Sequence, residues 1–233
     1  MKIGFYGDSK ACWANFPIYD DISFIDIVCE HYQAKLINKG VPQGSEERIL
    51  KELKKSKEPD IVVIFHSQSS RFYLPQTDRD IDVRDFNKFF DDRKANYIWK
   101  AGKKNRDSAS EFFDYGQIKD KFKDLDEFIA TISLYKKHLY DADVHLNRYY
   151  GSLVQIDQFL THKKIPSIHV IDPNAMPSWF KFQSGETASD LYRLSEDNFE
   201  LGTFPNNISK KGQQRIANTL ISKIDNLLSH NKK

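Results

Sequence analysis

The run Ile61-Val62-Val63-Ile64-Phe65, introduced by Pro59-Asp60, is five consecutive apolar residues, four of them β-branched. A strand with no polar position on either face must be covered on both, which is the condition of a strand inside a parallel sheet. Two shorter apolar runs precede it, Ile3-Gly4-Phe5-Tyr6 and Ala34 to Ile37. Between these, residues 21–32 place Ile22, Ile25, Val28 and Cys29 at helical spacing. Ser45 is a suitable N-cap for a helix reaching about Ser56, with Glu46 and Glu47 at its positive end and Lys51, Lys54 and Lys55 towards the other. The order β-α-β-α-β predicts right-handed crossovers with helices on both faces. The expected fold is a three-layer α/β/α sandwich, flavodoxin-like, with a mainly parallel sheet.

Beyond the third strand, from about residue 67 to 119, no period of either kind is sustained, and this stretch reads as a long irregular insertion. Two helices are expected next, over 120–140 and 142–162. The second carries an apolar stripe of Leu146, Tyr149, Leu153, Ile156 and Leu160. Ser167 to Ile171 reads as a further strand and 174–207 as a second irregular stretch. Ser209 caps a last helix with Ile216, Leu220, Ile224 and Leu227 on one face. At 233 residues the chain is read as one domain spanning 1–233.

Charge excludes the simplest macromolecular partners. Lys and Arg total 35 against 33 Asp and Glu, so no global field points to nucleic acid or a membrane surface. The lysine-rich stretches 100–106 and 119–123 are interleaved with acids and read as solvated faces, with an anionic partner as the alternative. Two cysteines, Cys12 and Cys29, are neither a disulfide framework nor a zinc set. No His, Cys and carboxylate cluster has metal-ligand spacing, and no cofactor is expected. No apolar run approaches the roughly 18 residues that span a bilayer, and no leader pattern opens the chain, so a cytoplasmic location is expected. Aromatic side chains crowd the polar region from Phe72 to Tyr150. They either anchor a loop-rich insertion or, with Phe72, Tyr73 and Trp99, form a surface for a protein partner.

Ligands of open α/β sheets gather beyond the carboxyl ends of the strands. Three polar stretches end strands here: Gly7-Asp8-Ser9, Asn38-Lys39-Gly40 and His66-Ser67-Gln68-Ser69. With FYGDSKACW first, NKGVPQGSEERILKEL second, PDIVVIFHSQSS third and FPNNISKKGQQRIANTL last, the chain resembles the SGNH, or GDSL, hydrolases. The resemblance implies an esterase of small or carbohydrate-linked acyl esters, with Ser9 as nucleophile and Gly40 as an oxyanion donor. It also puts Gln68 where the family has the oxyanion-hole Asn. Aligning Ser209 and Gly212 with the family's last block puts Asn207 at the catalytic His position and Phe204 at the Asp position.

A serine hydroxyl needs a base to take its proton, and asparagine does not serve as one near neutral pH. His66 follows the third strand on the site's edge and is the best substitute; its plainer role is a hydrogen-bonded strand-end residue. His169 lies mid-strand, as a packed core or surface histidine. His138, His145 and His162 fall on helices, where exposure is the default. Ser9 itself is a nucleophile or a cap retained from the scaffold. Two functions stay open: a divergent, weak serine esterase, and a non-catalytic binding or structural protein, with viral assembly among its settings.

Overall fold

The structure is a computed structural model, which describes residues 1–8, 11, 23–41, 44–69, 71–74, 79–82, 134–135, 137–197 and 210–230. Its elements are β1 (Lys2–Gly7), α1 (Phe24–His31), β2 (Lys35–Gly40), α2 (Glu46–Lys55), β3 (Ile61–Phe65), β4 (Arg71–Leu74) and β5 (Arg79–Asp82). Then come α3 (Ala142–Lys163), β6 (Ser167–Val170), β7 (Gly185–Thr187), α4 (Ser189–Asp197) and α5 (Lys210–His230). Five strands form one sheet in the order β2-β1-β3-β6-β7, and every pairing in it is parallel. The α/β fold expected from the alternation is therefore present.

Strand alternation divides the core. Ile61, Val63 and Phe65 point with Ile3, Phe5, Ile168 and Val170 to a layer closed by Phe24, Ile25 and Val28 of α1 and by Ile216, Leu220 and Ile224 of α5. Val62 and Ile64 point the other way, onto Ile49, Leu50 and Leu53 of α2 and Ile156 and Leu160 of α3. Each fully buried side chain of this size contributes about 1.5–3 kcal/mol of transfer free energy on either face, so alternation of polarity does not choose the register of β3. Its register is instead set by its neighbours: Gly7 of β1 lies opposite both Gly40 of β2 and Phe65 of β3.

Helix ends follow the residues that cap them. In α1, Ser23 Oγ accepts the Asp26 N–H while Asp26 Oδ2 accepts the Ser23 N–H, a reciprocal capping box. Ser45 caps α2, accepting from Arg48 N at 3.4 Å. Asp141 caps α3 by accepting from Asp143 N and Val144 N. The FPNNISKKGQQRIANTL block has a structural duty too: Gln213 Oε1 accepts the Phe24 N–H at 2.8 Å, tying α5 to the start of α1, and Gly212 and Ala217 are buried.

Two expectations are corrected. The stretch after β3 is not wholly irregular, since β4 and β5 form an antiparallel hairpin that starts within six residues of Phe65. The stretch 174–207 contains β7 and α4, which add the edge strand and a helix to the sandwich. The rest of the insertion, the first helix of the expected pair up to residue 133, and Ser209 lie outside the described residues.

Gly7 has φ +142°, and a Cβ there would meet the Phe65 carbonyl oxygen at 2.3 Å. Gly7→Ala is expected to lower the unfolding free energy by about 1–3 kcal/mol, measured by urea denaturation, because neither the dihedral nor the neighbouring backbone can give.

Candidate functional site

The parallel register brings three strand ends side by side. Gly7, Gly40 and Phe65 sit level, so Asp8, Val41 and His66 leave the sheet together. Val41 N–H donates to Gly7 O, and Asn38 Nδ2 donates to Ala11 O, which ties the β2 end to the turn after β1. Asp8 is buried, and its Oδ2 accepts from Arg71 Nη1 of β4 at 3.1 Å. The hairpin thus steadies the segment that leads into Ser9.

Ser9, Phe204 and Asn207 lie outside the described residues. Gly40 closes β2, and its N–H donates to Asn38 Oδ1 at 3.0 Å. Gln68 is exposed two residues beyond His66. His66 is 5 % exposed, and both of its ring nitrogens are engaged. Nδ1 lies 2.9 Å from Glu46 Oε2 and Nε2 lies 2.9 Å from His169 Nδ1. Glu46, in the first turn of α2, also accepts the Ser67 N–H at 2.6 Å. Beyond His169 the chain continues: its Nε2 lies 2.8 Å from Ser167 Oγ and 3.0 Å from Ser184 Oγ, and Ser167 Oγ donates to Ser184 Oγ at 2.8 Å.

This array is buried and braced. Glu46 is 2 % and His169 0 % exposed. Phe182 stacks on the His169 ring with centroids 3.6 Å apart and planes 8° from parallel. Asp157 of α3 accepts the N–H groups of Gln183 and Ser184, which places the Ser184 hydroxyl against His169. Burial holds His169 well below its ordinary pKa of 6.5, with the neighbouring His66 as the second cause. His169 therefore stays neutral in the folded protein.

The sequence pointed to His66 but not to its partners. Glu46 reads as a helix-dipole acid, yet it is buried and accepts two hydrogen bonds. His169 is the core histidine of the two alternatives. One signal was available: Ser167 and His169 are alternate residues of a buried strand, so two polar groups share one face and need partners there. His145 departs from its expectation, being buried on α3 with Nε2 2.8 Å from Tyr135 Oη. Its pKa is lowered first by burial and then by Arg148. Cys29 has its thiol pushed up to about 11 by burial and Asp26, so it carries no thiolate chemistry at neutral pH. Among the described residues no group of His, Cys, Asp and Glu is arranged to hold a metal ion, and no helix is long and apolar enough to cross a membrane.

No protein-family model matches the chain, and no curated protein matches it. Among solved structures it is similar to a protein from Desulfitobacterium hafniense DCB-2 described as lipolytic and of the G-D-S-L family. The identity is 12 % and the TM-score 0.34, over 95 % of this chain and 98 % of that one. It is similar to a mutant of the esterase AlinE4, at 11 % identity and TM-score 0.40, over 98 % and 95 % of the two chains. It is also similar to a mutant of Axe2, an acetyl-xylooligosaccharide esterase from Geobacillus Stearmophilus, at 11 % identity and TM-score 0.34, over 96 % and 73 %.

Two outcomes follow from the buried array. Glu46→Ala strands His66 Nδ1 and the Ser67 N–H away from water and is expected to cost about 2–5 kcal/mol in denaturant unfolding. Arg71→Ala removes a charge-assisted bond from the buried Asp8 carboxylate and is expected to cost about 1.5–3 kcal/mol. For pH, the unfolded chain protonates His169 below 6.5 and the folded chain does not. Acid therefore favours the unfolded state: the contribution of His169 is complete above 6.5 and is lost as pH falls, by up to about 1.4 kcal/mol per pH unit. Unfolding titrations from pH 7 to 5 should show this slope in the wild type and a shallower one in His169→Gln, whose amide satisfies the same neighbours without titrating.

Proposed function

We propose that this chain is an SGNH-hydrolase-like protein that takes a small or carbohydrate-linked acyl ester at the carboxyl edge of β1, β2 and β3. It hydrolyses that ester weakly, through Ser9 and without the family's usual base. The observation that carries this reading is the commitment of His66. A substitute base must present a free ring nitrogen to the nucleophile, and His66 spends Nδ1 on Glu46 and Nε2 on His169 inside the protein. With Asn207 and Phe204 standing, by the resemblance, at the positions of the catalytic His and Asp, no strong base is assigned to Ser9. What remains is the contribution of oxyanion donors and binding, about 10³–10⁴-fold over water.

The donors in this reading are the Gly40 amide and the Gln68 side chain. Gly40 N–H must exchange Asn38 Oδ1 for the ester oxygen, so Asn38 tunes the site. Gln68 is exposed, so using its amide as a donor requires no rearrangement of the core. The level strand ends at Gly7, Gly40 and Phe65 support one shared edge for nucleophile and donors.

The second reading is a non-catalytic protein that keeps this edge for binding or assembly. It is favoured by the same occupied amide and imidazole, since both groups are satisfied without any ligand. Hydrolysis of an aryl acetate by the wild type and by Ser9→Ala, with fluorophosphonate labelling mapped by mass spectrometry, separates the two. The esterase reading expects slow turnover and labelling at Ser9, both lost in Ser9→Ala. Turnover at rates ordinary for serine hydrolases would contradict the missing base. Absence of both turnover and labelling would leave the binding reading.

A further inference from the structure

The buried array has a property that neither reading of the carboxyl edge requires. Its ends differ in kind: a carboxylate only accepts, whereas the serine hydroxyls both donate and accept. Four contacts link the ends, at 2.9 Å from Glu46 to His66, 2.9 Å from His66 to His169, and 2.8 and 3.0 Å from His169 Nε2 to the two hydroxyls. The first two contacts hold one hydrogen each, and His169 Nε2 either accepts from Ser184 or donates to Ser167. The Glu46 end fixes its hydrogen on His66 Nδ1, whereas the hydrogen between the two rings is free to lie on either of them.

With both imidazoles neutral, every donor points towards Glu46. Ser167 donates to Ser184, Ser184 Oγ–H to His169 Nε2, His169 Nδ1–H to His66 Nε2, and His66 Nδ1–H to Glu46. When one proton is added, a second arrangement exists. His66 then carries hydrogens on both nitrogens and donates to Glu46 and to His169 Nδ1. His169 is still neutral but holds its hydrogen on Nε2, which donates to Ser167 Oγ at 2.8 Å. Ser184, half-buried, turns its hydroxyl outward. One proton enters, His169 changes tautomer, the bond from Ser184 to His169 Nε2 is exchanged for one from His169 Nε2–H to Ser167 Oγ, and the array's net charge goes from −1 to 0.

We propose that Glu46, His66, His169, Ser167 and Ser184 form a buried one-proton switch, in which protonation charges His66 and reverses the tautomer of His169. The charge rests on His66 because the Glu46 carboxylate is its direct partner, whereas His169 is fully buried under Phe182 with no carboxylate in contact. A second proton is refused, since two imidazolium rings would share one 2.9 Å contact. The other ionisable groups around the array are accounted for. From α3, the Asp157 carboxylate is bound by the backbone of Gln183 and Ser184, and Tyr149 lies within the field of Glu46 and Asp172. From the hairpin, Arg71 is paired with Asp8. The switch sits directly beneath Ser67, whose N–H bonds Glu46, so the field at the carboxyl edge becomes less negative when the proton is taken up.

The test is long-range proton–nitrogen NMR of protein labelled with ¹⁵N-histidine, followed from pH 8 to 5 in the full chain. Rings are assigned with His66→Gln and His169→Gln, and through backbone-linked spectra should either variant fail to fold. The expected record is one titration in which His66 gains a hydrogen on Nε2 while His169 passes from the Nδ1–H to the Nε2–H form. A charged His169, two charged rings, or two rings that keep their tautomers down to unfolding would each overturn the proposal.

Discussion

The contact from Glu46 through His66 to His169 is where the fold and the candidate site meet. Glu46 belongs to α2, His66 to the end of β3, His169 to β6, and Ser184 to the entry of β7, so one line of hydrogen bonds crosses four elements. Buried polar groups cost little only while all of them are satisfied, and here each ring nitrogen has a partner. The array therefore fixes how far α2 and the 172–184 loop stand from the sheet. That spacing in turn decides what faces the carboxyl edge and what is withdrawn from it.

Withdrawal of His66 is the chemical consequence. A histidine at the end of a central strand is well placed for proton transfer, and position alone suggests a base. Its partners decide otherwise: a carboxylate at Nδ1 would orient a catalytic imidazole, but Nε2 meets a second imidazole rather than an open edge. The geometry resembles a charge-bearing pair turned inward, away from any substrate.

The layers of the fold were legible because they rest on strong local patterns. Ile61 to Phe65 could be nothing but a covered strand, and Ser45 with Glu46 and Glu47 marked the start of α2. β7 was not legible, because Gly185-Glu186-Thr187 has no apolar residue and is a strand only by pairing with Ser167 to His169. The hairpin Arg71–Leu74 and Arg79–Asp82 was hidden because each arm is only four residues long and the second, Arg-Asp-Ile-Asp, is mostly charged. In the site, sequence placed Gly40, His66 and Gln68 at one edge. It did not reveal that His66 pairs with a residue 103 positions away, since nothing local in SIHVI names that partner. Ser9, Phe204 and Asn207 rest on the resemblance alone.

Chemical modification of the native protein with diethyl pyrocarbonate, mapped by mass spectrometry, tests the withdrawal of His66 most directly. His31, His138 and His162 are exposed, whereas His66 and His169 are at 5 % and 0 %. The account predicts rapid modification of the three exposed rings and protection of His66 and His169 until denaturant is added. Rapid modification of His66 in the folded protein would contradict it and return that imidazole to the carboxyl edge as a base for Ser9.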